Sequence, residues 1–325
     1  MSGAIKREYI DFAKKSAAFS AAASAVDFGQ GHAFIFDSAD TVLSRTLAYL
    51  LTASTVCDNA CGACKKCGRI FSGKSLDIID FGDEKIKVED IDKVTDSCLY
   101  MPYELPYKIY ILNFTERNDA AQNKLLKTLE EPPERAKFIL LTESLQALLP
   151  TVRSRCAVYS PKVSESQQID IYDDDINPNL PYAKYGARGN LTEFDNIMSG
   201  KSVENMINAI NIIKGLGKSG DMIKLLKYLP SSGTGNRAKL KKTLGYLELI
   251  LGDIMKAVAG LAVNTFGLYD INTVKNKFDG GGISESLKAV RRAVSRTDSG
   301  NLTSVADELI IKLTEVNYNA QSGRN

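Results

Sequence analysis

The first half of the chain alternates short apolar runs with amphipathic stretches. Four runs rich in β-prone apolar residues predict buried strands, at 32–37, 76–81, 107–114 and 137–143. A stripe of leucines with helical spacing lies between the last two runs, and Pro132-Pro133 ends that predicted helix. Strands that alternate with helices predict a mostly parallel sheet that is covered by helices on both faces.

The second half loses the β pattern almost completely. From about residue 164 onwards, polar loops separate predicted helices at 203–216, 237–263, 284–295 and 302–316. The run at 237–263 is too apolar for a lone surface helix, so we expect it to pack among other helices or against a neighbouring subunit. The change of pattern predicts an α/β domain followed by an all-α region.

The size and charge of the chain limit its function classes. Its 325 residues, 44% hydrophobic and 25% charged, are enough for two or three globular domains. The 41 basic and 39 acidic residues leave a formal charge of +2, so no global positive field draws the chain to nucleic acid or anionic lipid. No apolar run approaches the length that spans a bilayer, so we expect no membrane partner.

The alanine-rich stretch SAAFSAAASAV, which follows Lys14-Lys15, imitates a secretory signal peptide. Alanine and serine make a weak apolar segment, and Glu8 and Asp11 interrupt the positively charged start. We therefore interpret the stretch as a helix of the folded protein and expect the chain to be cytoplasmic.

Four of the six cysteines form the most specific chemical signal. They are separated by three, two and two residues and are Cys57, Cys61, Cys64 and Cys67. In a reducing compartment such a cluster favours metal binding over a disulfide framework. A site with four thiolate ligands has no open position, so we expect a structural zinc ion that staples an inserted loop. Gly62 and Gly68 are expected to supply the backbone freedom for so tight a loop.

An iron–sulfur cluster is the alternative occupant of this loop. The ferredoxin run resembles the cysteine pattern with its spacing reversed, but proline normally closes that run where Gly68 stands here. The other two cysteines, Cys98 and Cys156, are interpreted as ordinary semi-buried residues.

The first predicted strand leads through a polar loop into an amphipathic helix, which is the layout of a nucleotide-binding loop. An active loop of the type G-x-x-x-x-G-K-[ST] needs glycines for close approach to phosphate, a lysine for the β and γ phosphates, and a hydroxyl for magnesium. This loop has no glycine and no lysine, and its positions are held by Ser38, Thr41, Leu43, Ser44 and Arg45. Arg45 lies one place beyond the lysine position and would be a poor substitute.

The stretch NKLLKTLEEPPERAKFILLTESLQALLPTVRSRC, together with the four-cysteine insertion, closely resembles the bacterial clamp-loader subunits of the DNA polymerase III holoenzyme, the gamma/tau and delta-prime pair. The resemblance covers 32–156 and is only topological beyond. It implies an AAA+ module over 1–160 with a zinc-binding loop at 57–67, a small all-α lid at 161–201 and an all-α collar for oligomerisation at 202–325. It also implies gamma/tau and delta subunits as partners, with the sliding clamp and primed DNA contacted through the assembled complex.

The chain departs from the catalytic members of this family in several places. After the third strand, where they carry an acidic pair for magnesium and water, this sequence has Asn113 and Phe114, which cannot replace that pair. Thr192 and Glu193 stand where active subunits place a second sensor arginine, and Thr142 matches the first sensor position. We therefore expect no intrinsic ATPase activity and no ATP on this chain.

The Ser-Arg-Cys motif of the family is retained as Ser154, Arg155 and Cys156. The resemblance implies that Arg155 is an arginine finger, which points at the γ-phosphate of the neighbouring subunit's ATP. Arg155 could instead be a plain structural arginine, with Arg153 as the exposed one. We interpret the chain as a delta-prime-like subunit that completes a neighbour's ATP site.

Two other functions remain open at this point. The chain could be an active gamma/tau-like ATPase with a diverged phosphate loop, or a zinc-ribbon DNA-binding protein without an ATPase partner. The only histidine, His32, is expected to be a turn residue rather than part of a catalytic constellation. The short basic patch around Lys239 is interpreted as a solvated helix face rather than a DNA contact.

Overall fold

The computed structural model describes residues 4–164, 167, 169–170, 177–216, 222–230, 235–278 and 280–322. The chain divides into two compact units. The first unit is Met1–Asp174 together with Arg188–Thr192, and the second is Asp175–Ala187 together with Glu193–Asn325. Part of the predicted lid, at 165–166, 168 and 171–176, lies outside the described residues.

The first unit is built on a five-stranded, fully parallel sheet with the order β2-β3-β4-β1-β5. The strands are β1 Ala33–Asp37, β2 Ile78–Asp80, β3 Lys108–Asn113, β4 Ala136–Thr142 and β5 Ala157–Tyr159. The parallel sheet and its four predicted strands are confirmed. Because all strands are parallel, the carboxyl ends of β1, β3 and β4 meet at one edge, where ligands of open α/β sheets bind.

Seven α-helices and one 3₁₀ turn, Leu145–Ala147, accompany this sheet in the described part of the first unit. The helices are α1 Arg7–Lys15, α2 Ala17–Ala25, α3 Thr41–Ser54, α4 Lys65–Phe71, α5 Val88–Ser97, α6 Asp119–Glu130 and α7 Pro150–Arg153. The alanine-rich stretch forms α2 as predicted. Helix α6 ends at Glu130, directly before Glu131 and the two prolines that the sequence marked as its end.

The core of the first unit lies around the two central strands. All seven residues of β4 and five of the six residues of β3 are buried, as expected for a parallel sheet that helices cover on both faces. Leu125 and Leu129 of α6 pack into this core with at most 1% of their surface exposed. The packing fixes α6 against the sheet.

The remaining described helices follow in the chain. They are α8 Leu180–Gly186, α9 Leu191–Met198, α10 Val203–Gly215, α11 Met222–Leu226, α12 Asn236–Val258, α13 Ile271–Lys275, α14 Gly280–Arg296 and α15 Leu302–Ser322. The four long helices predicted for the second half, now α10, α12, α14 and α15, are confirmed. Helix α12 packs against α10, α13 and α14, as its apolar composition predicted.

The predicted helix at 237–263 is too long at its carboxyl end. Gly260 has a φ of 79° and stops α12, because a residue in the left-handed conformation turns the chain away from the helix axis. The Leu261 N–H then donates to the Lys256 carbonyl at 2.9 Å, which closes the helix end. Within the described ranges, no helix is both long and apolar enough to cross a membrane.

Candidate functional site

The loop between β1 and α3 occupies the place of the predicted phosphate loop. The backbone N–H of Ser38 donates to the Thr142 carbonyl at the end of β4 at 2.9 Å, so the loop starts at the carboxyl edge of the sheet. Asp40 is the N-cap of α3, and its carboxylate accepts from the Leu43 N–H at 3.0 Å. The strand–loop–helix layout is thus present.

The Asp40 carboxylate also binds a distant segment of the same unit. One oxygen accepts from the Leu191 N–H at 2.7 Å, and the other accepts from the Thr192 N–H at 3.0 Å and its hydroxyl at 2.8 Å. Asp40 is only 5% exposed. Burial raises the pKa of Asp40 above its ordinary value, although the hydrogen bonds to its oxygens act in the opposite direction. A buried acidic side chain therefore lies at the start of α3, in the loop that the sequence predicted to be a phosphate loop.

Two of the backbone N–H groups at the start of α3 donate to side chains of the same unit. The Leu43 N–H donates to Asp40, and the Val42 N–H donates to the Thr192 hydroxyl at 3.0 Å. The Ser44 N–H donates to the Asp40 carbonyl at 3.0 Å within the helix. Phosphate binding at a helix start uses unpaired N–H groups, and the N–H groups of Val42 and Leu43 already have partners.

Ser44 and Arg45 stand at the lysine and hydroxyl positions of the predicted phosphate loop. Ser44 is 1% exposed, and its hydroxyl has no hydrogen-bond partner among the residues that the structure describes. The Arg45 guanidinium lies 3.4 Å from the Asp80 carboxylate and 2.6 Å from the Asp83 carboxylate, and it donates to the Gly82 carbonyl. Two carboxylates thus neutralise Arg45 beside the end of β2.

The residues that the resemblance places at the magnesium and first sensor positions make contacts within their own strand ends or the core. The Asn113 side-chain oxygen accepts from the Thr115 N–H at 3.0 Å, and Phe114 is fully buried in the core. The Thr142 hydroxyl donates to the Ser144 carbonyl at 2.8 Å. These groups stabilise turns at the strand ends.

The four-cysteine loop joins α3 to α4. The sulfur atoms of all four residues lie within 4.8 Å of one another. Cys64 is the N-cap of α4, and its sulfur accepts from the Cys67 N–H at 3.5 Å, while the Cys61 sulfur accepts from the Cys64 N–H at 3.3 Å. That N–H of Cys64 lowers the pKa of Cys61 to about 6, whereas burial raises the pKa of Cys67 to about 12.

The loop fits a tetrahedral metal ion. Zinc–sulfur bonds of about 2.3 Å place the ligand sulfurs of a tetrahedral site about 3.8 Å apart, and the four sulfurs here all lie within 4.8 Å of one another. Gly62 has a φ of 75°, as expected for a residue that lets the loop fold back. The prediction for Gly68 is wrong, because this residue lies inside α4 without a positive φ. The four cysteines can therefore hold a metal ion.

Arg155 lies just after α7 and is held within its own chain. Its Nη2 donates to the Glu130 carboxylate at the end of α6, and its Nη1 donates to the Thr151 carbonyl at 2.8 Å. The side chain remains 34% exposed. Arg153 is half-buried, and its Nε is a buried donor without a partner in the described part of the chain. Burial raises the pKa of Cys156 to about 12, so this thiol is not activated.

Three comparisons with known proteins bear on this arrangement. Residues 18–163 match the family model described as "DNA polymerase III, delta subunit". DNA polymerase III subunit tau of Escherichia coli is 34% identical over 145 residues, and subunit gamma of Buchnera aphidicola subsp. Acyrthosiphon pisum is 29% identical over 212 residues. Over this part of its length the chain is therefore similar to DNA polymerase III subunits.

The likeness to these clamp-loader relatives is partial. The alignments cover 42% of this chain and 23% of the Escherichia coli protein, and 60% of this chain and 57% of the Buchnera protein. A solved gamma-subunit-related protein from Thermotoga maritima aligns with 92% of this chain and 99% of its own at 19% identity and a TM-score of 0.42.

Two residues of this site were not identified from the sequence. Asp40 carried an available signal, since aspartate directly before an amphipathic helix is a common N-cap. No sequence signal pointed to its partners Leu191 and Thr192, because they lie about 150 residues away in the chain. Glu130 lies within the stretch that resembles the family, but its ion pair with Arg155 is visible only in three dimensions.

Proposed function

We propose that this chain is a delta-prime-like, non-catalytic subunit of a DNA polymerase III clamp loader, which helps to load the sliding clamp onto primed DNA. One observation carries the proposal most directly. The start of α3, where an ATPase of this architecture would bind phosphate, is filled by Asp40 and Thr192. Magnesium-bound ATP would have to displace a buried carboxylate that its own negative charge repels.

The second part of the proposal assigns Arg155 as an arginine finger for the ATP site of a neighbouring subunit. A guanidinium stays charged and offers several N–H groups to phosphate oxygens. The partial exposure of Arg155 supports this role, because the side chain is available for contact outside its own unit. The chain would thus supply a group for hydrolysis at a neighbour's site and bind no nucleotide itself.

The proposal for the wider assembly is based on the resemblance to DNA polymerase III subunits. We propose gamma/tau and delta subunits as partners, a cytoplasmic location, a lid at 161–201 and a collar at 202–325 for oligomerisation. The metal in the four-cysteine loop is proposed to be a structural zinc ion, held by thiolates that leave no open position.

Calorimetry of the purified chain with Mg-ATP tests the first part. We expect no heat of binding up to millimolar nucleotide, because Asp40 and Thr192 already accept from the Leu43 and Val42 N–H groups at the helix start. A gamma/tau subunit of the same organism, titrated under identical conditions, is the positive control. Binding with micromolar affinity would contradict the proposal and favour the active-ATPase alternative.

Paired variants of the reconstituted loader test the second part. Arg155→Ala should slow hydrolysis at the one adjacent site on the order of a thousandfold, which appears as the loss of that site's share of DNA-stimulated turnover. Arg153→Ala is the matched control and should keep this share. Equal turnover for both variants and the wild type, or a loss confined to Arg153→Ala, would refute the assignment of Arg155.

A further inference from the structure

The end of α6 and the start of the Ser-Arg-Cys motif meet around one guanidinium. The Glu130 carboxylate, on the last residue of α6, accepts from Arg155 Nη2. Arg155 Nη1 donates to the Thr151 carbonyl at 2.8 Å and lies 3.4 Å from the Ser154 hydroxyl oxygen. Contacts from two separate helices thus define where this long side chain lies.

The position of Glu130 is itself fixed by the core. Leu125 and Leu129, one turn apart on the same helix, are buried under the sheet. Gln122, which is fully buried, ties α6 to the segment that leads into α7: its side-chain amide donates to the Ala147 carbonyl at 2.9 Å and accepts from the Leu149 N–H at 2.6 Å. Buried contacts of α6 therefore fix the backbone position of Glu130 relative to the segment that leads to Arg155.

The contacts leave part of Arg155 available. Among the described residues they use two N–H groups on Nη1 and one on Nη2, so the N–H of Nε and a second N–H of Nη2 remain for another acceptor. The side chains of Arg155 and Glu130 are 34% and 49% exposed. An ion pair this exposed biases a side-chain population by up to about fivefold, enough to favour one rotamer but too weak to keep the arginine from a phosphate.

We propose that Glu130 is a positioning residue for Arg155: it restrains the guanidinium beside the end of α6 while two of its N–H groups stay free for a phosphate oxygen. This inference rests on the proposed finger role of Arg155. Glu130 would preorganise Arg155, because a guanidinium that is already restrained loses less rotamer freedom when it binds the neighbour's ATP.

Arginine-selective labelling of the free chain tests the contact without any partner. Phenylglyoxal followed by peptide mass spectrometry should modify Arg155 about two to five times faster in Glu130→Gln than in the wild type, because the ion pair no longer restrains it. Glu131→Gln is the matched control, since Glu131 is adjacent, exposed and without an ion pair in the described ranges. Exposed Arg237 is the internal reference. Equal labelling of Arg155 in both variants and the wild type would overturn the proposal.

Kinetics of the reconstituted loader test the consequence. Glu130→Gln should lower kcat at the adjacent site about two- to fivefold and leave the KM for ATP unchanged, whereas Glu131→Gln should change neither. A rise in kcat would show that Glu130 competes with phosphate and would refute positioning. If Arg155→Ala lowers turnover and Glu130→Gln does not, this inference alone fails. If Arg155→Ala has no effect, the proposed function itself fails.

Discussion

The Asp40 side chain occupies the start of α3, at the carboxyl end of the sheet in the first unit. Its carboxylate caps α3 and at the same time binds Leu191 and Thr192, so one buried side chain satisfies donors from two parts of the chain. Leu43 and Ser44 remove the glycine and the lysine of an active loop independently of Asp40. The proposed loss of phosphate binding therefore rests on several residues.

Replacing Asp40 should destabilise the first unit without creating an ATP site. Asp40→Ala removes an N-cap and leaves the buried N–H groups of Leu191 and Thr192 unpaired, so we expect a loss of about 2–4 kcal/mol in the free energy of unfolding. Urea unfolding followed by circular dichroism measures this loss. Asp270→Ala removes the exposed cap of α13 and should cost clearly less. Equal losses for both variants, or Mg-ATP binding to Asp40→Ala, would contradict this account.

Sequence reasoning reached some of these residues and missed others for physical reasons. The absent glycine and lysine are local features that can be read from eight consecutive positions. The start of α3 is instead occupied by the contact between Asp40 and residues 191–192. No local sequence pattern specifies a contact between residues so far apart in the chain. The pairing of Glu130 with Arg155 is of the same kind.

At the scale of elements, long buried segments were the most predictable. Strands β3 and β4 are almost wholly buried, so their apolar runs are unmistakable. Strand β5 has three residues, and Val158 at its centre is 47% exposed, so it lacks the apolar run of a buried strand. Helix α12 was extended too far because apolar residues continue past Gly260, whose backbone conformation ends the helix.

The two glycines of the metal loop should respond differently to substitution. Gly62→Ala forces a side chain into the left-handed region, so we expect about tenfold weaker zinc affinity. Gly68→Ala should leave the affinity unchanged, since its Cβ would meet nothing within 4 Å and alanine favours the helix. Competition with a chromophoric chelator measures both affinities.

Cobalt substitution identifies the ligand set in the same preparations. A tetrahedral, sulfur-rich cobalt spectrum is expected in the wild type and in Gly68→Ala. Visible absorption of the protein as purified, with stoichiometric iron and sulfide, would instead establish the iron–sulfur alternative. Equal affinities for the two glycine variants would contradict the loop geometry.

At the scale of the whole molecule, the charges of the chain nearly cancel. The chain has 41 basic and 39 acidic residues. Two lysines of the basic patch around Lys239 also form ion pairs. Lys241 lies 3.2 Å from the Asp298 carboxylate, and Lys242 pairs with Glu193. Lysines that are already paired release fewer counterions on binding DNA, so we expect Lys241 and Lys242 to contribute little to DNA affinity.

We therefore expect the isolated chain to bind primed duplex DNA only in the non-specific range, with dissociation constants of about 10⁻⁴–10⁻⁶ M at physiological salt. Fluorescence anisotropy over a salt series measures both the affinity and its salt dependence. The double variant Lys241→Gln/Lys242→Gln should bind as the wild type does, because the replaced charges were neutralised. Tight, strongly salt-dependent binding that disappears when zinc is chelated would favour a zinc-ribbon DNA-binding protein. Binding that appears only in the assembled loader fits a subunit that contacts DNA through its complex.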